Sequence, residues 1–283
     1  MNLYIMTRGR IGQQRTYESI PENWRKRTWL VTPSGEDHGD IPTIWVPHYV
    51  TNYSTKMEWI INDGMRDGYD KCVILDDDLV FSRRVMREDG KPGLQTLKTP
   101  SEINFWLDEM WQMMEILLDN TALVGIHPRQ MGHQAPLPFK TNGKVICVQG
   151  VNRKLTGHIP DLSRFPILSD VVLNATLLSR GQGNKLITEF CLDWGSCQAP
   201  GGCSIYRTPE MQAEACRWLE ERFGPYIKAV EKEAKNGWLG GKRVDFTGQW
   251  KRLYEAGVAG LLDQGKRTGQ DEEGDGNSSE AVE

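Results

Sequence analysis

Two patterns of apolar residues take turns along residues 1–225. Short apolar runs that end near glycine or proline predict buried strands, whereas apolar residues spaced three or four positions apart predict amphipathic helices. The runs predict strands at Leu3–Thr7, Thr28–Thr32, Thr43–Val46, Lys71–Leu75, Ala122–Ile126 and Lys144–Val148. The spaced apolar residues predict helices over 55–65, 100–119, 170–180 and 209–223. Strands that alternate with helices favour an α/β fold with a mostly parallel sheet flanked by helices.

Charge is unevenly distributed between the body of the chain and its C-terminus. The 283-residue sequence has a formal net charge of −4, but residues 263–283 alone carry −5, so residues 1–262 carry +1. The C-terminal segment has few apolar residues to bury, which predicts a disordered acidic tail over 263–283. A nearly neutral body can contact a polyanion at small basic clusters, but its charge does not require such a partner.

Several features of the sequence indicate where in the cell the protein is located. It has no run of about eighteen apolar residues, which argues against a membrane-spanning helix. The first ten residues lack a basic region followed by an apolar region, so no signal peptide is predicted. The six cysteines show none of the close pairing that zinc sites favour. We therefore expect a cytoplasmic protein with reduced thiols.

Three consecutive carboxylates, Asp76, Asp77 and Asp78, directly follow Lys71–Leu75, the clearest predicted buried strand. In a parallel α/β sheet, ligands bind at the carboxyl ends of the strands. Mg²⁺ and Mn²⁺ prefer carboxylate oxygens and share their remaining coordination positions with substrate phosphates. Alternation along an extended backbone would place Asp76 and Asp78 on one side and Asp77 on the other. The cluster therefore predicts a divalent-cation site at Asp76 and Asp78, with a solvated acidic turn as the alternative.

The segment around these carboxylates, Ile74–Val80, resembles the Asp-x-Asp motif of GT-A glycosyltransferases. Further landmarks follow the order of that family over roughly residues 1–215. Tyr4–Arg10 resembles the first strand and turn, where such enzymes hold the nucleoside, and the helix over 55–65 precedes the Asp-x-Asp strand. Leu168–Gly181 is similar to the acidic helix start that carries the catalytic base of inverting members, although Ser169 stands where a Glu is usual.

The resemblance implies a GT-A-like, Rossmann-type sheet with a C-terminal helical extension before the acidic tail. A single catalytic domain over 1–262 is expected, with a nucleotide-sugar half at about 1–125 and an acceptor half at about 126–262. GT-A enzymes often add a late His to the metal ligands, but this chain has no His after His158, which leaves a third protein ligand unassigned.

The same resemblance assigns roles to individual side chains. The donor-binding residues that it implies are Thr7, Arg8, Arg10 and Asp76, and the metal ligands are Asp76 and Asp78. Arginine suits the donor diphosphate because its planar group can pair with two phosphate oxygens. Asp170 would accept the proton of the acceptor hydroxyl, and capping of its helix is the alternative role.

The N-terminal residues also resemble a smaller group within the glycosyltransferases. Thr7–Arg10, followed by Gln14-x-Thr16 and Pro21-x2-Trp24, is similar to phage-associated glycosyltransferases that accompany TET/JBP-type DNA dioxygenases. That likeness implies a UDP-sugar donor, Mn²⁺ or Mg²⁺, and 5-hydroxymethylcytosine in double-stranded phage DNA as the acceptor.

DNA binding would require contacts to phosphates and a means of exposing the base. The candidate contacts are Arg83, Arg84, Arg87, Arg129, Arg153, Lys154, Lys242, Arg243, Lys251 and Arg252, with Phe246 and Trp250 available to stack or wedge. A scatter of solvated surface charges is the alternative. A sugar nucleotidyltransferase and a non-catalytic DNA-binding accessory protein also remain as alternative functions.

Overall fold

A large mixed sheet with helices packed around it forms the centre of the protein. The computed structural model describes residues 1–62, 68–130, 132–195, 202–233 and 241–271, with the backbone only for 261–271. The strands of the sheet are β1 (Asn2–Met6), β2 (Thr28–Thr32), β3 (Thr43–Trp45), β4 (Lys71–Asp76), β5 (Val80–Met86), β6 (Pro92–Thr96), β7 (Leu123–Pro128), β8 (Phe139–Thr141), β9 (Val148–Asn152) and β10 (Asn184–Asp193). The predicted α/β fold is confirmed at this level.

The strand order is β3-β2-β1-β4-β9-β7-β10-β5-β6, and β8 pairs with β10. Most strands run in the direction of β1, whereas β5, β8 and β9 run the opposite way. From β1 the chain proceeds outward to β2 and β3, then returns to place β4 on the other side of β1. In open α/β sheets such a reversal creates a crevice at the carboxyl ends of the two strands, where ligands bind.

Helices surround the sheet and extend beyond it. They are α1 (Arg15–Glu18), α2 (Glu22–Arg25), α3 (Tyr53–Asn62), α4 (Pro100–Glu102), α5 (Asp108–Leu117), α6 (Arg153–Thr156), α7 (Ser169–Ser179), α8 (Pro209–Phe223) and α9 (Trp250–Asp271). One π-helical turn, Ile103–Leu107, joins α4 to α5. The start of α8 follows its sequence, because Thr208 accepts a hydrogen bond from the Met211 amide and Pro209 takes the first helical position.

The core has one cluster on each side of the sheet and a third beyond it. Successive residues of β4 serve opposite clusters, since Val73 and Leu75 pack on one side while Cys72 and Ile74 pack on the other. The third cluster joins α7, α8 and α9 to a separate hairpin of β11 (Ile227–Glu233) and β12 (Lys242–Gly248). This arrangement places the first turn of α7 and the β11–β12 hairpin beside the acidic segment after β4.

The structure departs from two sequence predictions and extends a third. The strand predicted at Lys144–Val148 is wrong, because the strand begins at Val148. Cys147 has a φ of 63°, which an extended strand cannot accommodate. The predicted helix over 55–65 begins at Tyr53, and its predicted end falls at 63–67, outside the described residues. The segment predicted to be a disordered tail overlaps α9 as far as Asp271, and 272–283 also lie outside the described residues.

Within the described ranges, no helix combines the length and the apolar character that crossing a bilayer requires.

Candidate functional site

A cleft with a volume of about 360 Å³ opens at the carboxyl ends of β1 and β4, at the reversal of strand order. Five carboxylates line it: Asp76, Asp77, Asp78, Asp170 and Asp245. The cations that line it are Arg10, Lys144, Arg207 and Arg243. Two parts of the site predicted from the sequence, the acidic cluster after β4 and the acidic start of α7, therefore line the same cleft.

The turn after β1 is fastened to the acidic cluster through Asp77. Thr7 Oγ1 donates a hydrogen bond of 2.6 Å to Asp77 Oδ2, and the Arg10 guanidinium donates to the other Asp77 oxygen. Arg10 also lies 3.1 Å from Asp78 Oδ2. The Gln14 side-chain amide braces the turn by donating to the Arg10 carbonyl at 2.9 Å. Thr7 and Asp77 thus hold the turn in place, and Arg10 reaches into the cleft.

The directions of the Asp76, Asp77 and Asp78 side chains do not follow strand alternation. The reason is that β4 ends at Asp76 and the next two residues form a turn. Asp77 is buried and directed toward β1, whereas the Asp78 side chain is 26% exposed within the cleft. Asp78 is also crowded by the loop after β10, since a Cβ atom on Gly195 would lie 2.8 Å from Asp78 Oδ2. Of the three carboxylates, Asp76 and Asp78 remain the candidates for binding a ligand.

Asp76 lies where negative charge is unfavourable. Burial raises its pKa to about 8, and repulsion from Asp170, Asp78 and Asp77 adds to the shift, against a hydrogen bond from the Cys147 thiol. The Asp76 amide donates to the Cys147 carbonyl at 3.1 Å, which fixes the end of β4 against the residue before β9. A cation beside Asp76 would offset this repulsion and restore the charged carboxylate.

Asp170 lies in the first turn of α7. Burial raises its pKa, and the nearby charges of Lys144 and Arg207 oppose that rise. The N-cap position belongs to Leu168, which has a φ of 66° and makes no side-chain capping bond. Asp170 Oδ1 accepts a hydrogen bond from the adjacent Val171 amide, at 2.9 Å. This local bond leaves the second carboxylate oxygen for another partner.

Arg8 takes a different direction from Arg10. It donates to the Thr51 carbonyl at 2.5 Å, and its guanidinium carbon lies 5.9 Å from the centre of the Tyr206 ring. Arg8 lines a neighbouring pocket of about 30 Å³ together with Thr7. Four predicted site residues, Arg10, Asp76, Asp78 and Asp170, therefore line one cleft, whereas Arg8 lines the neighbouring pocket.

Several cleft residues have no signal in the sequence. Lys144 and Cys147 precede β9, Arg207 precedes α8, and Tyr53 begins α3, so only folding brings them together. Basic residues next to predicted strands and helices are common on protein surfaces. Nothing in the local sequence pattern therefore marks Lys144 and Arg207 as cleft residues.

Several candidate DNA contacts have internal partners instead. Arg84 donates to the Ala135 and His133 carbonyls at 2.5 and 2.7 Å. Arg129 donates to Thr96 Oγ1 at 2.8 Å. Phe246, a candidate for stacking, is 7% exposed and packs in the third core cluster, and it also lines the cleft.

The metal-binding prediction can be compared with the donor set of the cleft. Within the ranges that the structure describes, no group of three or more His, Cys, Asp or Glu side chains is placed to hold an ion by itself. Mg²⁺ is commonly bound through only one or two carboxylates, with substrate phosphates and water as its other ligands. Asp76 and Asp78, in one cleft with unfavourable mutual charge, fit that mode of binding.

The chain matches no model of a known protein family and no curated protein sequence. Its fold and its cleft define an α/β protein with a carboxylate-rich site at the switch point of the sheet.

The raised pKa of Asp76 predicts that the metal-free protein loses stability as the pH rises from about 4 to about 8. Over that range the folded state keeps a proton on Asp76 that the unfolded state has released, so a higher pH favours unfolding. Asp76→Asn imitates the protonated side chain. We expect it to raise the Tm at about pH 8 by at least about 3 °C, and to leave the Tm near pH 4 unchanged.

Thermal melts in EDTA at several pH values would measure this difference. Asp40→Asn is the control because Asp40 is an exposed acid outside the cleft. Equal responses of the two variants across the pH range would show that burial of Asp76 is not the cause.

Proposed function

We propose that this protein is a metal-dependent glycosyltransferase that moves a sugar from a nucleotide-sugar donor, a UDP-sugar, to the hydroxyl of a 5-hydroxymethylpyrimidine in DNA, with 5-hydroxymethylcytosine as the acceptor. The observation that carries the proposal is the convergence of Asp76, Asp78 and Asp170 in one cleft at the switch point of the sheet. Support for DNA as the acceptor comes from the N-terminal resemblance.

At the donor end, Asp76 and Asp78 are the residues that would hold Mn²⁺ or Mg²⁺. The metal would supply positive charge to neutralise the diphosphate that leaves. Arg10 contributes in two ways: it restrains the Asp78 carboxylate by direct contact, and its guanidinium lines the cleft within reach of an anionic ligand. The anchoring of Asp77 by Thr7 keeps this arrangement in place without a ligand.

At the acceptor end, Asp170 is the candidate general base. Such a group needs hydrogen-bond reach to the reacting hydroxyl and a pKa raised toward the working pH. Burial supplies the raised pKa, and Lys144 and Arg207 limit the rise so that the carboxylate form stays accessible. Asp170 would accept the proton of the hydroxymethyl group as its oxygen attacks the sugar.

The decisive experiment is incubation with a panel of nucleotide sugars and Mn²⁺ on hydroxymethylcytosine DNA, followed by nucleoside mass spectrometry. A mass gain of one hexose or pentose is the expected result. Pyrophosphate release from a nucleoside triphosphate and a sugar phosphate would favour a nucleotidyltransferase instead. DNA binding without turnover of any donor would favour the accessory protein.

Gly195→Ala tests whether Asp78 needs its present position. The added Cβ would displace Asp78 Oδ2, which lies 2.8 Å away. We expect Mn²⁺ affinity in the presence of UDP to fall about 10-fold, the lower end of what loss of ligand support costs, with the Tm nearly unchanged. Isothermal titration calorimetry would measure the affinity. Gly260→Ala is the control because nothing lies within 4 Å of its added Cβ, and equal affinities of the two variants would contradict the role of Asp78.

A further inference from the structure

Two cations, Lys144 and Arg207, line the cleft together with Asp170, and among the described residues neither is hydrogen-bonded or ion-paired to an acid. The Lys144 ammonium instead lies 4.4 Å from the centre of the Phe246 ring. The Arg207 Nε atom is buried and has no hydrogen-bond acceptor among the residues that the structure describes. Burying a charged donor without a partner is unfavourable, so Arg207 is suited to an anion that enters the cleft, and the half-buried Lys144 lines the same cleft.

Arg10 differs from these two cations because it has acidic partners. Arg10 is bound to Asp77 and contacts Asp78, so those two acids already have a cation beside them. Lys144 and Arg207 belong to the segment before β9 and the segment before α8, and both act electrostatically on Asp170. An anion held by these two cations would therefore lie near the candidate base.

Resting on the proposed function, we propose that Lys144 and Arg207 bind a phosphate of the acceptor strand next to the hydroxymethylated nucleotide. The guanidinium of Arg207 presents paired donors that match phosphate oxygens, and the Lys144 ammonium adds a point charge. A base that has left the duplex carries its flanking phosphates with it, so a phosphate contact inside the cleft would position the hydroxymethyl group beside Asp170. The protein thereby recognises a nucleotide within a strand rather than a free nucleoside.

The test is a double-mutant cycle between the protein and the DNA. Fluorescence anisotropy would give the Kd of hydroxymethylcytosine oligonucleotides for wild type and Arg207→Gln, with either normal phosphates or one uncharged methylphosphonate beside the target nucleotide. We expect Arg207→Gln to raise the Kd of the normal strand about 10-fold, as for the loss of a charged hydrogen bond. The methylphosphonate should raise the Kd of wild type by a similar factor and the Kd of Arg207→Gln by a much smaller one. Lys144→Gln should behave in the same way.

Arg217→Gln is the matched control, because Arg217 is an exposed arginine on α8. Equal weakening of wild type and Arg207→Gln by the methylphosphonate at every flanking position would overturn the phosphate contact. Donor hydrolysis without DNA gives an independent check, and a loss of hydrolysis in Arg207→Gln would assign the residue to the donor instead. If wild type turns over no donor, the glycosyltransferase proposal fails while the binding cycle still decides the phosphate contact.

Discussion

Asp78→Ala is expected to lower kcat/KM for sugar transfer on the order of 10³-fold, because metal-ion catalysis contributes several kcal/mol of transition-state stabilisation. The variant removes one of the two carboxylates that would hold the cation, and the Asp78 side chain is 26% exposed within the cleft. The protein should still fold, since Asp77 keeps its bonds to Thr7 and Arg10. Initial rates of transfer at increasing Mn²⁺ concentrations would measure the loss.

Asp40→Ala is the control for removing an exposed acid elsewhere. Circular dichroism and a thermal melt would establish that both variants are folded. If Asp78→Ala kept a rate close to that of wild type at every Mn²⁺ concentration, Asp78 would not be a metal ligand, and the proposed donor site would lose its main support.

Asp170→Asn is expected to lower kcat on the order of 10²–10⁴-fold, the usual contribution of general acid–base catalysis. Donor affinity should change by less than about twofold, because the donor's metal ligands are retained. Wild-type kcat/KM should fall as the pH drops below the raised pKa of Asp170, since the protonated carboxyl cannot accept the acceptor proton. At saturating Mn²⁺, which keeps Asp76 charged, the residual activity of the variant should lack that acidic limb.

The pH dependence separates catalysis from structure. Glu210→Gln is the matched control, because it removes an exposed acid from the first turn of another helix, α8. A similar loss in both variants, or an acidic limb that persists in Asp170→Asn, would exclude Asp170 as the base. A parallel loss of UDP affinity would indicate that Asp170 belongs to the donor site.

Some elements were predictable because their signals lie in adjacent residues. β2 has the predicted bounds, and β4 carries an apolar run that ends at the acidic cluster. Others were not, because their stability comes from distant contacts. β5 contains Arg83 and Arg84, which interrupt any apolar alternation; in the fold Arg83 lies 3.9 Å from the centre of the Trp106 ring, and Arg84 bonds to carbonyls of another segment. Neither partner is visible from the strand's own sequence.

Some features of the candidate site were likewise predictable from the sequence, and others were not. Thr7, Arg10 and the acidic triplet lie in two short segments that follow strands, so their meeting at one edge of the sheet could be expected. The different directions of Arg8 and Arg10 could not, since they depend on a turn in which Gly9 has a φ of 67°. The burial of Phe246 was equally hidden, because it requires the hairpin to pack on α7 and α8.

The amino-acid sequence by itself determined the α/β class, the strands β1 to β4 and β7, and the acidic cluster after β4, because periodicity and neighbouring residue types encode these features locally. Only the tertiary structure decided that Asp170, Lys144 and Arg207 share a cleft with that cluster. Their segments are far apart along the chain, and their association depends on how the third core cluster packs α7 and α8 with the β11–β12 hairpin. Contacts of that kind arise from the packing of many side chains at once, which no local pattern specifies.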